Sequence, residues 1–187
     1  MKSKIHEYLT FNYKIMSKKI TLLLVFIGMI TLQSCTVNEV QDNVDNDTIA
    51  EVFEYSNVNF TAANGYNVLL TYPHGIYTSD MVLVYRLSGI DAGKNVWKLL
   101  PETYYFDDGT LDFGYSNDFT TINTQVSLYG FDLPGLPTSN RLNQVIRVVV
   151  IPAFFGNKMA NPVDLNDYYG VINYYGINDK NSVKIKL

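Results

Sequence analysis

Met81-Val82-Leu83-Val84-Tyr85-Arg86-Leu87-Ser88 (MVLVYRLS) decides the fold. Both of its alternating sets are apolar: Met81, Leu83, Tyr85 and Leu87 on one, Val82 and Val84 on the other. A strand with one wet face alternates apolar and polar residues, so this run predicts a strand covered on both faces. Gln144–Ile151 (QVIRVVVI) has the same character and predicts a second central strand. Arg86 and Arg147 interrupt these two runs. A guanidinium there needs a carboxylate partner or an edge position where its head reaches water. A structural ion pair is the expectation for each, with anion binding as the alternative.

Working outward, Val52–Phe60 reads as a first strand, and Ala62-Ala63-Asn64-Gly65 as a turn. Tyr66–Tyr72 reads as a second strand, stopped by Pro73-His74-Gly75. Asn95–Leu100 carries the sole tryptophan, Trp97, an expected core anchor. Thr103–Phe106 and Thr110–Tyr115 flank Asp107-Asp108-Gly109, a hairpin signal because Asp-Gly supplies the positive φ of a tight turn. Phe119–Phe131 adds one or two more strands. Short strands punctuated by turn residues point to an all-β domain over residues 51–187, an immunoglobulin-like β-sandwich. Near the end the period changes. Tyr168, Val171, Ile172 and Tyr175 share one helical face within Asp164–Gly176, with Asn166 or Asp164 as cap and Gly176 as terminator. Val183, Ile185 and Leu187 then alternate with Lys184 and Lys186, as an edge strand does.

The N-terminal region has a different logic. Lys18-Lys19 leads into Ile20–Leu32, an apolar run followed by Gln33-Ser34-Cys35. The run is shorter than the roughly 20 residues a spanning helix needs, and it is apolar all round rather than amphipathic. Charged, apolar and small-residue regions in this order mark a secretory signal, here residues 1–34. Leu32-Gln33-Ser34-Cys35 resembles the lipobox of bacterial lipoproteins, which implies cleavage before Cys35 and lipid attachment to its thiol. Two or three acyl chains on one cysteine hold firmly, since each buried CH₂ adds about 0.8 kcal/mol. Residues 35–50 then form a flexible acidic tether, Asn- and Asp-rich after the lipidated Cys35. Asp47-Thr48-Ile49 resembles the short O-glycosylation acceptor of Bacteroidota, with Thr48 as the modified residue. Met16-Ser17-Lys18-Lys19 is a compact start for such a signal, and residues 1–15 add nothing to it.

Composition narrows the function. From Cys35 onward the chain has nine basic and seventeen acidic residues, a net charge of −8. That balance argues against nucleic acid and anionic headgroups as partners. Cys35 is the only cysteine, so no disulfide and no thiolate metal site forms within one chain once it is acylated. His74 is the only histidine after Cys35 and reads as an exposed loop residue, with no second histidine to complete a metal site. No Gly-X-Ser-X-Gly elbow is present. Asp107, Asp108, Asp112 and Asp118 are the densest acidic cluster, open to two readings: a Ca²⁺ site or a carboxylate pair for glycoside hydrolysis. Tyr104-Tyr105, Tyr168-Tyr169 and Tyr174-Tyr175 offer one ring each to the core and one to a sugar or protein partner.

Several segments taken together resemble a family of small Bacteroidota (flavobacterial) lipoproteins. They are Val58-Asn59-Phe60, Val82–Leu87, Trp97 with Leu99-Leu100-Pro101, Phe106–Thr110 and Arg147–Pro152, spanning roughly residues 51–176. The resemblance implies the fold and an envelope location. It assigns no activity, catalytic residue, metal or cofactor, and this chain lacks the collagen-like Gly-X-Y stalk that members often carry. The expected function is a non-enzymatic, lipid-anchored binding or structural module, held by Cys35 on the outer membrane. The alternatives are a glycan- or Ca²⁺-dependent surface protein serving nutrient uptake, and a hydrolase using the acidic cluster. Translation is expected to start at Met16. Mass spectrometry of the precursor, accumulated by blocking signal cleavage, checks this; peptides covering residues 1–15 would contradict it.

Overall fold

A computed structural model describes residues 49–158 and 163–187. The expected signal segment, Cys35 and Thr48 lie outside the described residues, as does all of the expected tether before Ile49. Among the described residues, nine strands form two sheets. They are β1 (Glu51–Val58), β2 (Asn67–Thr71), β3 (Met81–Asp91), β4 (Lys94–Leu99), β5 (Glu102–Tyr105), β6 (Leu111–Phe119), β7 (Asn123–Gly130), β8 (Gln144–Ile151) and β9 (Val183–Lys186). One sheet has the order β4-β3-β8-β1-β9 and the other β2-β7-β6-β5. Neighbours are antiparallel except β1 and β9, which run parallel.

The two-sided character of β3 and β8 has a direct cause. Val82, Val84, Ile146, Val148 and Val150 face a core shared with Leu70, Phe113, Tyr115, Val126 and Leu128 of the four-stranded sheet. Leu83, Tyr85, Val149 and Ile151 face the opposite way and pack, with Val52 and Trp97, against a helix, α2 (Tyr168–Tyr175). A four-residue helical turn, α1 (Thr138–Arg141), precedes β8 and is absent from the sequence-based expectation.

An eight-residue helix is too short to hold itself in water. α2 forms because Tyr168, Val171, Ile172 and Tyr175 all bury, at roughly 1.5–3 kcal/mol for each large side chain. Its start corrects the expected cap. Asp164 is occupied with the backbone N–H and carboxamide of Asn166, 2.9 and 3.0 Å away, and neither residue caps the helix. Asp167 does so, accepting the Gly170 N–H at 3.0 Å. Gly170 permits this approach, since a Cβ there would lie 2.5 Å from the Asp167 carboxylate. Gly176 terminates α2 in the left-handed region, as the sequence implied. The hairpin at Asp107-Asp108-Gly109 also forms, with Gly109 at φ 83°.

Buried tyrosines tie each sheet to backbone outside it. Tyr55 donates its hydroxyl to the Thr71 carbonyl and Tyr85 to the Leu165 carbonyl, both at 2.7 Å, and Tyr115 donates to the Asn140 carbonyl. Burial raises the pKa of Tyr55, Tyr85 and Tyr168 well above the usual phenol range and that of Tyr115 to about 12. A group whose pKa is raised by folding contributes stability in full below its unfolded value, here 10.0, and loses it as pH rises through the folded value. Alkaline titration is therefore expected to show a steep, late rise in tyrosinate absorbance above pH 10, coincident with loss of the β circular-dichroism signal. A smooth titration of every tyrosine near pH 10 with the fold intact would contradict it.

Candidate functional site

Arg86 sits near the middle of β3 and is 5% exposed. Each of its three guanidinium nitrogens has a partner. Nε pairs with Glu102 of β5, in the opposite sheet. Nη1 donates to Gln144 Oε1 at 3.1 Å and Nη2 to the Tyr104 hydroxyl at 3.0 Å. Its flat face lies 4.4 Å over the Tyr115 ring. Tyr104 in turn donates to Glu102 Oε2 at 3.0 Å and accepts from Lys98 Nζ at 3.2 Å. Burial works against the Arg86 charge, and the hydrogen bond and attraction to Glu102 more than offset it, so the guanidinium pKa is raised. The expected ion pair is therefore present, and Glu102 already supplies the counter-charge that an anion would bring.

This network floors an open cleft of about 880 Å³ between the outer end of β3, α1 and the β5–β6 hairpin. Tyr104 and Phe113 stack at 4.5 Å in its wall, with Leu142 and Val145 nearby. Ser88, Ser139, Asn140 and Asn143 supply hydroxyls and carboxamides. Among the described residues Arg86 is the one ionic residue lining it, and Glu102 neutralises that charge. Such a cleft suits an uncharged, partly apolar ligand. Glu102, Gln144 and the α1 segment were not singled out in the sequence. Glu102 is the only acidic residue between Asp91 and Asp107, and Gln144 opens a strand whose one other polar residue is Arg147; these local signals mark both as candidates, but the stacking of the sheets is what selects them for Arg86.

Arg147 repeats the arrangement on the helix side. It pairs with Glu54 at 2.7 Å and Asp179 at 2.8 Å, donates to the Tyr168 hydroxyl, and lies 4.5 Å over the Trp97 ring. Trp97 is the buried anchor the sequence implied. His74 is exposed, and its Nε2 meets Glu51 at 2.8 Å. The Gly75 carbonyl and Glu51 raise its pKa against a smaller effect of burial.

The acidic cluster does not converge. Among the described residues no three His, Cys, Asp or Glu side chains gather where a metal ion could be held. Asp112 and Asp118 lie on one extended strand, six residues apart, which is roughly 20 Å. Asp108 closes its own turn by accepting from the Thr110 N–H and hydroxyl. Of the tyrosine pairs, Tyr168 and Tyr175 are buried, while Tyr105 and Tyr169 are exposed. Tyr169 donates to the Asn95 carbonyl. Among the described residues no helix is long and apolar enough to cross a membrane. Comparison of the chain with protein-family models, curated proteins and solved structures gives no match.

Removing one member of a buried pair costs roughly 3–5 kcal/mol, whereas replacing both with apolar groups is often neutral. Glu102→Ala is expected to fall in that range. Arg86→Met is expected to cost less, because Lys98, 3.9 Å from Glu102 Oε2, partly replaces the lost charge. The double variant Arg86→Met/Glu102→Met is expected to be more stable than Glu102→Ala. Urea unfolding of the three proteins checks the order.

Proposed function

We propose that this chain is a lipid-anchored envelope lipoprotein of a Bacteroidota cell, held by Cys35 on the outer membrane. Its β domain acts as a non-enzymatic interaction module. The observation that carries the reading is Leu32-Gln33-Ser34-Cys35, placed directly after Lys18-Lys19 and a dozen mostly apolar residues. The cleft agrees with recognition rather than turnover. Its one charge is consumed internally, and what it offers a ligand is apolar surface, hydroxyls and carboxamides.

We also read the domain as an immunoglobulin-like sandwich. The pairings β2·β7 and β7·β6 in one sheet and β3·β8 in the other correspond to strands B-E-D and C-F of that architecture. Residues of both sheets meet in one core, as a sandwich requires. The arrangement departs from the standard order at one edge. There β1 lies beside β8, where the last strand usually lies, and β9 is added outside it.

Metabolic labelling with a clickable fatty acid tests the anchor. The wild-type protein is expected to take the label and sediment with membranes. Cys35→Ala is expected to lose both properties. An unlabelled wild-type protein, or a labelled Cys35→Ala variant, would overturn the reading. Protease treatment of intact labelled cells then assigns the face: loss of the domain places it outside, survival places it in the periplasm.

A further inference from the structure

We infer that the cleft takes an extended, uncharged peptide segment, which adds as a short strand to the open edge of β3. The inference rests on reading the domain as an interaction module and names its partner class.

The observation behind it is a mismatch in strand length. β8 accompanies β3 only from Met81 to Arg86, opposite Ile151 to Ile146. Gly89, Ile90 and Asp91 pair with β4 alone. β8 stops short because the chain turns at Asn143, at φ 53°, just before it. The track it leaves beside β3 is the cleft, lined by Ser88, Gly89 and Ile90 on one side and Asn143 and Gln144 on the other.

Turn geometry says which backbone groups face that track. β3 and β4 are joined by Ala92-Gly93, both at positive φ (46° and 77°), a two-residue primed turn. Its closing pair, Asp91 and Lys94, exchanges hydrogen bonds across the hairpin. By alternation, the N–H and C=O of Ile90 point away from β4 and into the cleft. They are a donor and an acceptor on a strand edge, which an extended chain completes. Ile90 is 71% exposed beside them.

The two outer strands of the five-stranded sheet are handled differently. β4 carries Lys94 and Lys98, and β9 carries Lys184 and Lys186, the charges that discourage strand addition. Gly89 and Ile90 carry none, and the one charge of the open stretch, Asp91, sits at its end beside the turn. The open stretch of three residues is roughly 10 Å long, enough for about three or four peptide residues. Alternate side chains of that peptide meet the Tyr104–Phe113 stack and Leu142. Its outward residues meet Ser139 and Asn140. With the Arg86 charge already satisfied, a charged residue would enter the cleft unpaired, which sets the preference for a neutral segment.

The test is residue-resolved hydrogen–deuterium exchange on the full-length protein purified from cells. The probes are a blocked six-residue alternating Val-Thr peptide, the same peptide N-methylated at alternate amides, and one with Glu in place of Thr. The Val-Thr peptide is expected to slow exchange of the Ile90 amide about tenfold once its concentration exceeds Kd about ninefold. The N-methylated and Glu peptides are expected to leave the amide unchanged. Ile90→Pro removes the open-side N–H and is expected to abolish binding, read by calorimetric titration with the Val-Thr peptide because this variant has no amide at residue 90; proline is tolerated where the N–H lies off the ladder. Ser139→Arg, which plugs the mouth from an exposed position, gives the same loss should the proline variant fold poorly. Absence of Ile90 protection with the Val-Thr peptide overturns the inference. So does protection that survives N-methylation, and so does concentration-dependent protection without peptide, which would give the edge to a second copy of the chain. Protection in a protein that takes no acyl label would sink the anchor alone; label without protection would sink the peptide alone.

Discussion

A guanidinium buried between two sheets cannot be left alone, and the position of Arg86 constrains how those sheets meet. The carboxylate that answers it, Glu102, belongs to the other sheet, immediately after the chain crosses over at Leu100-Pro101. A packing that slid the sheets past each other would strand both charges in the core, at a cost of several kcal/mol. Apolar residues alone would accept several such packings. The ion pair contributes selectivity between them more than net stability, and Tyr104, Gln144 and the Tyr115 ring hold its geometry.

The same device appears on the other face of the five-stranded sheet. Arg147 lies half-buried under α2, and the layer that covers it brings Tyr168 and Asp179, while Glu54 reaches it from the neighbouring strand. Each covering layer thus supplies counter-charge to the arginine it buries. The tyrosine hydroxyls add a second set of fixed points, each aimed at a backbone carbonyl outside the tyrosine's own sheet. Tyr115 connects the two themes: its ring supports Arg86, and its hydroxyl holds Asn140 at the rim of the cleft.

Local patterns carried most of the strand content. Two-sided apolarity in MVLVYRLS and QVIRVVVI, the Asp-Gly turn, the buried Trp97 and the terminating Gly176 are properties of neighbouring residues, and each is found where the sequence placed it. What depends on distant contacts was legible only in part. The need of Arg86 for a partner could be read, but the identity of Glu102 could not, because it is set by how the sheets stack. Proximity in sequence misled for the four aspartates, since an extended strand carries Asp112 and Asp118 apart. The α2 cap moved to Asp167 because Asp164 and Asn166 satisfy each other first. The cleft was invisible for the same reason as Glu102: it exists because one strand outruns its neighbour.

The direction of the central strands has a mechanical consequence. β1 begins, β8 ends and β3 begins at one end of the sheet, while β3 finishes at the Ala92-Gly93 hairpin at the other. A pull that enters near residue 50 and leaves at that hairpin runs along the strands, across ladders whose hydrogen bonds lie perpendicular to it. Those bonds are loaded together in shear rather than opened one at a time like a zip. A domain drawn taut between these two points would resist force better than its modest size implies, and a pull applied sideways at the β9 edge would meet far less resistance.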